Sequence, residues 1–304
     1  MIRGSIVALV TPFNSKGKVN FKKLYELLDF HILNKTDGIL LFGTTGEGAT
    51  LSLKEKLKIG RKAIRYVKNK IFIILNAGTN NTKETIKQCR ILSKLKPYAL
   101  LVITPYYNKT NERGIYLHYK LAAEASSVPI IIYNVPSRTG YDMPVKLIDK
   151  ISKMKKIIGI KEASIDRDKY SYLNSIQNDN FSWYSGSDER IIEEMKCGCR
   201  GLIGVVTNTH PKLIKEIITL CLSNEFELAE YQYSKIKQYI GTLTLETNPI
   251  PIKEAMNIFD WSVGGYRLPL AEISEENKEK LLKAIGDMKK WKSFSLDMEK
   301  WIRN

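Results

Sequence analysis

Lys161 closes an apolar run, Ile157-Ile-Gly-Ile160, and is followed at once by Glu162-Ala-Ser164. If that run is a strand, the lysine amine is carried out of water, and desolvation frees a neutral nitrogen able to attack a carbonyl carbon. Most lysines instead return their charge to water along the alkyl stem. Gly43-Thr44-Thr45-Gly46-Glu47-Gly48 sets three glycines and two adjacent hydroxyls within six residues. Backbone N–H groups in such a turn can converge on a small carboxylate or phosphate, and a plain connecting turn is the other reading. The glycine spacing differs from Gly-x-Gly-x-x-Gly and no P-loop lysine follows, which disfavours a nucleotide. Tyr133-Asn-Val-Pro-Ser-Arg138-Thr-Gly140 carries a guanidinium on a Pro/Gly-stiffened segment, where its rigid fork could clamp a carboxylate through two hydrogen bonds. Thr104-Pro-Tyr106-Tyr107 adds two phenols, each of which could equally be a core lid. Ser185-Gly186-Ser187-Asp188 and Gly201-Leu-Ile203-Gly204 leave room for a substrate, or merely turn tightly.

The elements that must position these residues are short apolar runs alternating with stretches of helical period. Strands are predicted near Ser5 to Leu9, Gly38 to Phe42, Ile71 to Asn76, Ala99 to Thr104, Pro129 to Asn134, Ile157 to Lys161, Phe181 to Ser185 and Gly201 to Val206. Continuous runs such as Ile71-Phe-Ile-Ile-Leu75 imply burial on both faces, as in a parallel sheet covered by helices. Ser52-Leu-Lys-Glu55 and Asn81-Thr-Lys-Glu84 read as capping boxes that start two of those helices. Eight alternating units predict an α/β fold, a (β/α)8 TIM barrel over residues 1–222, with a doubly wound open sheet as the alternative. Beyond Cys221 the strand signal stops. Helical patterns at Asn224 to Leu245, Pro251 to Phe259 and Ser274 to Trp301 predict a C-terminal helical appendage over residues 223–304. In a barrel of this type the chemistry sits where the strands end, and these candidate segments end or follow a predicted strand, save Gly201-Leu-Ile203-Gly204, which lies within the eighth.

Other chemistries have less to work with. The three histidines, His31, His118 and His210, are far apart in sequence, which argues against a metal site or a histidine-based triad. Cys89, Cys197, Cys199 and Cys221 read as buried thiols rather than as a disulfide framework or zinc ligands. The formal charge of +16 raises nucleic acid as a partner. The excess is scattered, however, and Lys54, Lys56, Lys58, Arg61, Lys62, Arg65, Lys68 and Lys70 read as the solvated basic face of one amphipathic helix. The reading is therefore of a protein that binds neither nucleic acid nor membrane. With no membrane-length apolar run and Thr11-Pro12 cutting short the N-terminal one, a cytoplasmic location is expected.

Taken jointly, Gly43-Thr-Thr-Gly-Glu47, Tyr133-Asn-Val-Pro-Ser-Arg-Thr-Gly140, Gly159-Ile-Lys-Glu-Ala163 and Asn248-Pro-Ile-Pro-Ile-Lys253 resemble the signatures of the dihydrodipicolinate synthase and N-acetylneuraminate lyase family, from the first strand to about Pro269. The resemblance implies that Lys161 forms an imine with pyruvate, so that the lysine is the covalent electron sink and neither a cofactor nor a metal is needed. It implies that Tyr133 is the acid/base, that Thr44 and Tyr107 complete a proton relay, and that Tyr107 is lent by a neighbouring subunit of a homotetramer built as a dimer of dimers. Thr45 would hold the pyruvate carboxylate, Gly186 and the Ile203 carbonyl would lie beside the imine, and Arg138 would bind the second substrate. The Ser-Arg-Thr-Gly form resembles members that condense pyruvate with L-aspartate-4-semialdehyde to 4-hydroxy-tetrahydrodipicolinate, the branch step toward diaminopimelate and lysine. The alternative is another pyruvate-dependent class I aldolase, such as N-acetylneuraminate lyase or a keto-deoxy-sugar aldolase. Ala49, Asn80, Glu84 and Tyr106 match an allosteric lysine site in sensitive relatives, whereas Leu53 and Lys56 replace histidines there. Inhibition by lysine is expected to be weak or absent.

Overall fold

The computed structural model describes residues 2–289; Trp291 and Trp301, the end of the last expected helix, lie outside them. Eight strands, β1 (Gly4–Ala8), β2 (Gly38–Leu41), β3 (Phe72–Asn76), β4 (Ala99–Ile103), β5 (Ile130–Asn134), β6 (Ile157–Glu162), β7 (Ser182–Ser185) and β8 (Gly201–Gly204), pair in chain order, and β8 closes on β1. All of these pairings are parallel, as crossover helices between consecutive strands require. The chain is thus the expected (β/α)8 barrel, and each predicted strand is found with ends shifted by at most a few residues.

Helices α1 (Phe21–Leu33), α2 (Leu53–Val67), α3 (Thr82–Leu92), α4 (Glu112–Ala125), α5 (Pro136–Thr139), α6 (Val145–Ser152), α7 (Asp168–Ile176), α8 (Ile191–Lys196) and α9 (Pro211–Leu222) wrap the strands. Strand residues alternate between two apolar layers. Ile6, Ala8, Leu40, Leu101, Ile131, Tyr133, Tyr184 and Ile203 pack inside the barrel, while their chain neighbours pack outward against the helices.

Local capping chemistry sets several helix starts. At α2 the Ser52 hydroxyl accepts the Glu55 N–H while the Glu55 carboxylate accepts the Ser52 N–H, the full reciprocal box. At α3 only half of the expected box forms. Asn81 Oδ1 accepts the Glu84 N–H, but the Glu84 carboxylate turns along the helix to Lys87 and Gln88.

One pairing irregularity sets which strand-end side chains face inward. Between β5 and β6 the partners run Ile130 with Ile157 but Ile131 with Gly159, so Ile158 is an extra residue. Beyond this bulge Tyr133 pairs with Lys161 and Asn134 with Glu162. A Cβ on Gly159 would collide with the Ser182 carbonyl of β7, so the bulge is built around a residue with no side chain.

After α9 the chain forms α10 (Phe226–Ser234), α11 (Lys237–Thr242), α12 (Ile250–Ile258) and α13 (Glu275–Lys289). The helical stretch expected from Asn224 to Leu245 is therefore two helices. A turn at Lys235 and Ile236 separates them, and Ile236 is fully buried there. Ile148 on α6 lines neither of the two cavities that border the glycine-threonine turn and is also fully buried. Ile148→Ala is expected to cost ~2–5 kcal/mol, read as a lower denaturant midpoint with no change in the reactivity of Lys161.

Candidate active site

The C-terminal ends of the strands open into a cavity of about 500 Å³. Its wall includes Thr44, Thr45, Tyr133, Arg138, Lys161 and Gly186, six of the eight catalytic and substrate-binding residues expected from sequence. The β5–β6 register carries Tyr133 and Lys161 side by side on the inner face, with the Lys161 Nζ 4.6 Å from the centre of the Tyr133 ring. Lys161 is only 5% exposed, and Tyr133 is buried as well.

Burial lowers the Lys161 pKa to about 8; the Asp188 carboxylate opposes that shift and the Arg138 guanidinium adds to it. The neutral amine is therefore far more accessible near neutral pH than in an ordinary lysine. Burial also raises the Tyr133 pKa, against the pull of the Arg138 charge and of a hydrogen bond with Thr44. The phenol is thus kept protonated and tied to the threonine turn. Asp188 is itself pushed up to about 6 by burial, with the Val205 and Val206 N–H groups opposing, and it accepts those N–H groups at 2.9 and 3.2 Å. It remains mostly ionised at neutral pH and faces the amine.

Gly186 is required by space. A Cβ there would stand 3.1 Å from the Lys161 Cε and 2.9 Å from the Glu162 carbonyl oxygen, so any side chain would displace the lysine. Arg138 sits on the single turn α5, which starts at Pro136 and ends at Gly140 with φ +63°. Its guanidinium donates to the Asn248 carbonyl at 3.0 Å, and the Asn248 side chain donates to the Thr45 hydroxyl at 2.9 Å. Asn248 therefore ties the arginine to the threonine turn from outside the barrel. With Ile240, Leu243 and Thr244 it brings the C-terminal helices into the cavity wall.

Two expected site residues stand apart. Ile203 packs fully buried in the inner barrel layer and is not among the residues lining the cavity. Tyr107 follows β4 with φ +69° and is 92% exposed, away from the cavity wall. Two residues of the cavity wall are not singled out by sequence: Asn248 stands in a motif without a role of its own, and Asp188 reads only as part of a small-residue turn. Both act through partners that no local pattern signals, Asp188 through the backbone of β8's end and Asn248 through a threonine 203 positions away.

Behind the lysine lies a polar network facing the helices. Asn134 donates to Glu162 and to Asp142, each at 2.8 Å, Ser164 donates to both carboxylates, and Lys169 pairs with Asp142. Burial raises the Glu162 pKa to about 7, with Lys169 opposing. This network braces the end of β6, and its Asp142 and Ser164 reach the cavity wall.

A second cavity, of about 440 Å³, shares Gly43, Thr44, Arg138 and Asn248 with the first. Ala49, Lys56 and Tyr106 of the expected lysine site line it; Asn80 and Glu84 do not. Lys56, expected on the solvated face of α2, is instead 4% exposed and donates to Gln88 at 3.1 Å. The reason is phase: Lys56 precedes buried Ile59, Gly60, Ala63 and Val67 at helical spacing, so it lies on the inward stripe. Burial lowers its pKa to about 8, with the nearby Glu84 carboxylate opposing.

Comparisons with known proteins agree with this fold. A model of the family described as "Dihydrodipicolinate synthetase family" matches residues 1–288. A 4-hydroxy-tetrahydrodipicolinate synthase of Clostridium perfringens is 38% identical over 292 residues, covering 95% of this chain and 100% of that protein. One from a Thermoanaerobacter species is 40% identical, covering 94% and 96%. Among solved structures, the dihydrodipicolinate synthase of Aquifex aeolicus superposes with a TM-score of 0.92 at 36% identity, covering 95% and 98%. A chloride-inhibited dihydrodipicolinate synthase of Acinetobacter baumannii, complexed with pyruvate, gives 0.92 at 37% identity, covering 95% and 99%.

The charge arrangement has a measurable sign. Capture of Lys161 by an amine-reactive aldehyde should speed up about tenfold per pH unit and level off above the amine pKa of about 8. Asp188→Asn removes the carboxylate that stabilises the ammonium, so the bend in that profile should move to lower pH; a bend that stays or rises would show that Asp188 does not hold the charge.

Proposed function

The chain belongs to the dihydrodipicolinate synthetase family, and we propose that within it Lys161 carries the condensation of pyruvate with L-aspartate-4-semialdehyde to 4-hydroxy-tetrahydrodipicolinate. The observation that carries this reading is the buried Lys161 amine beside the Tyr133 ring at the barrel mouth. Thr45 and the backbone of the Gly43–Gly48 turn receive the pyruvate carboxylate. The neutral amine of Lys161 attacks the keto carbon, and the resulting carbinolamine loses water with Tyr133 passing the proton. Acid/base help of this kind is worth ~10² to 10⁴ in rate.

The imine acidifies the pyruvate methyl group, and loss of a proton gives an enamine. Its carbon attacks the aldehyde carbon of the second substrate, whose oxygen takes up a proton to become a hydroxyl. The amino group of that substrate then adds to the imine carbon, closes the ring and expels Lys161 as a free amine. One water leaves per turnover, and the lysine ends as it began. Arg138 stands at the cavity mouth with no carboxylate partner among the described residues, and its hydrogen bond to Asn248 leaves other N–H groups of the fork for the carboxylate of the semialdehyde. Exposed Tyr107 suits a role in a neighbouring copy of the chain, as in a dimer of dimers, where it would join Thr44 and Tyr133 in the relay. The biosynthetic role fits a cytoplasmic enzyme, and no helix among the described residues is long and apolar enough to cross a membrane.

Borohydride reduction in the presence of pyruvate should leave a pyruvyl adduct on Lys161, found by peptide mapping. Lys161→Ala should abolish it, Tyr133→Phe should slow turnover, and Arg138→Ala should raise the KM for the semialdehyde far more than that for pyruvate. An adduct elsewhere would refute the mechanism. Turnover of a sialic or keto-deoxy sugar acid in place of the semialdehyde would refute the substrate.

We also propose that lysine does not regulate this chain through the second cavity. The buried ammonium of Lys56 meets the amino groups of the amino acid with like charge. Millimolar lysine should leave the rate unchanged, whereas full inhibition at micromolar lysine would overturn this.

A further inference from the structure

The motif Asn248-Pro-Ile-Pro-Ile-Lys253 ends in a lysine that the condensation does not use. Lys253, on the first turn of α12, is fully buried, and its Nζ lies 2.8 Å from Glu47 Oε1, whose side chain is equally buried. The ammonium also donates to the carbonyls of Thr11, at 3.3 Å, and of Gly265, and it faces the rings of Phe13 and Tyr266 at 4.5 and 5.2 Å. The other carboxylate oxygen of Glu47 accepts the Arg267 N–H at 3.0 Å. Both ions are therefore paired and hydrogen-bonded, which is the condition for a buried pair to persist.

Glu47 belongs to the Gly43–Gly48 turn. Its backbone is left-handed, with φ +52°, and its N–H donates to the Thr44 carbonyl at 3.0 Å. A non-glycine residue holds that conformation only when its surroundings over-determine it. Here the surroundings are Lys253 and Arg267, which grip the side chain, and Thr11, whose hydroxyl donates to the neighbouring Gly46 carbonyl at 2.7 Å. The same turn presents Thr44 to the Tyr133 hydroxyl and Thr45 to the cavity.

We propose that the Glu47–Lys253 pair is a positioning device: it locks the left-handed turn so that Thr44 and Thr45 meet Tyr133 and the keto acid in register for imine formation. Neither residue lines the first cavity, so both act through the threonines. This inference rests on the Lys161 reading and deepens it. A shift of about 1 Å in a positioning group costs ~10² in rate, and the pair grips the threonine turn directly, whereas Arg138 meets that turn only at one remove, through Asn248.

Four variants test it: Glu47→Asp, which keeps the charge but withdraws it by one methylene, Glu47→Gln, Lys253→Met, and the double variant Glu47→Gln/Lys253→Met, which buries no unpaired charge. Each is assayed for thermal melting, for the rate of borohydride trapping by pyruvate, and for KM of both substrates. Glu47→Asp should fold, trap ~10- to 100-fold more slowly and show a raised KM for pyruvate, with the KM for the semialdehyde changed less than about twofold. The double variant should regain the melting temperature lost by the single ones, yet still trap slowly. If trapping recovers along with the melting temperature, or both KM values move together, the pair is merely structural and the proposal fails. If the single variants do not fold, the double variant alone decides between these outcomes. Failure of the wild type to trap pyruvate at Lys161 would instead sink the mechanism itself, so the two failures are distinguishable.

Discussion

The register between β5 and β6 is the constraint on which the site depends. Side chains along a strand alternate between faces, so a slip of one residue exchanges inside for outside. Without the extra residue at Ile158, Ile130 opposite Ile157 would put Tyr133 opposite Ile160 and turn Lys161 toward the helices. The bulge corrects the phase, so Tyr133 and Lys161 share the barrel mouth while Asn134 and Glu162 share the outer layer. The low pKa of the lysine, its contact with the tyrosine ring and the polar brace behind it all follow from that single inserted residue and the bare Cα of Gly159 that makes room for it.

Four buried lysines among the described residues show how partners, rather than burial alone, decide what an amine does. Lys253 has a carboxylate at ion-pair distance and two carbonyls, and is held as a paired cation gripping the glycine-threonine turn. Lys169 pairs with Asp142 and donates to the Met143 carbonyl at 3.0 Å. Lys56 has a neutral amide partner and borders an open cavity. Lys161 has no carboxylate within salt-bridge distance among the described residues and looks into the cavity, with Asp188 acting on it only through the field. Desolvation pushes an amine toward its neutral form, and only a close anion pushes back. Lys56 shares the lowered pKa, so what sets Lys161 apart is its place beside the Tyr133 ring in the cavity at the strand ends.

Much of this was legible in the sequence, because the signals are local. Continuous β-branched runs marked the strands, reciprocal Ser52 and Glu55 marked the start of α2, and glycine with paired threonines marked the turn. Tyr133 and Lys161 stood out because each lies at the end of a strand, and Arg138 because it follows one. What escaped was set by partners distant in sequence or by phase. The inward position of Lys56 follows from counting helical turns to Val67, a pattern masked by its basic neighbours. The break at Ile236 depends on what that side chain packs against. The role of Asn248 depends on Thr45, and that of Asp188 on Val205 and Val206; these contacts exist only once the barrel has closed.

The ties between the threonine turn and the far end of the chain have a temporal meaning. The Lys253–Glu47 bond spans 206 positions and the Arg267–Glu47 bond spans 220. Loop closure over such distances comes late, after local and neighbouring-strand contacts have formed. During vectorial synthesis the turn emerges early but stays unlocked until Arg267 has left the ribosome. Between the emergence of Lys161 and that of Arg267 a nascent barrel would thus carry the amine beside an unlocked turn, and catalytic competence would arrive as one of the last events of maturation.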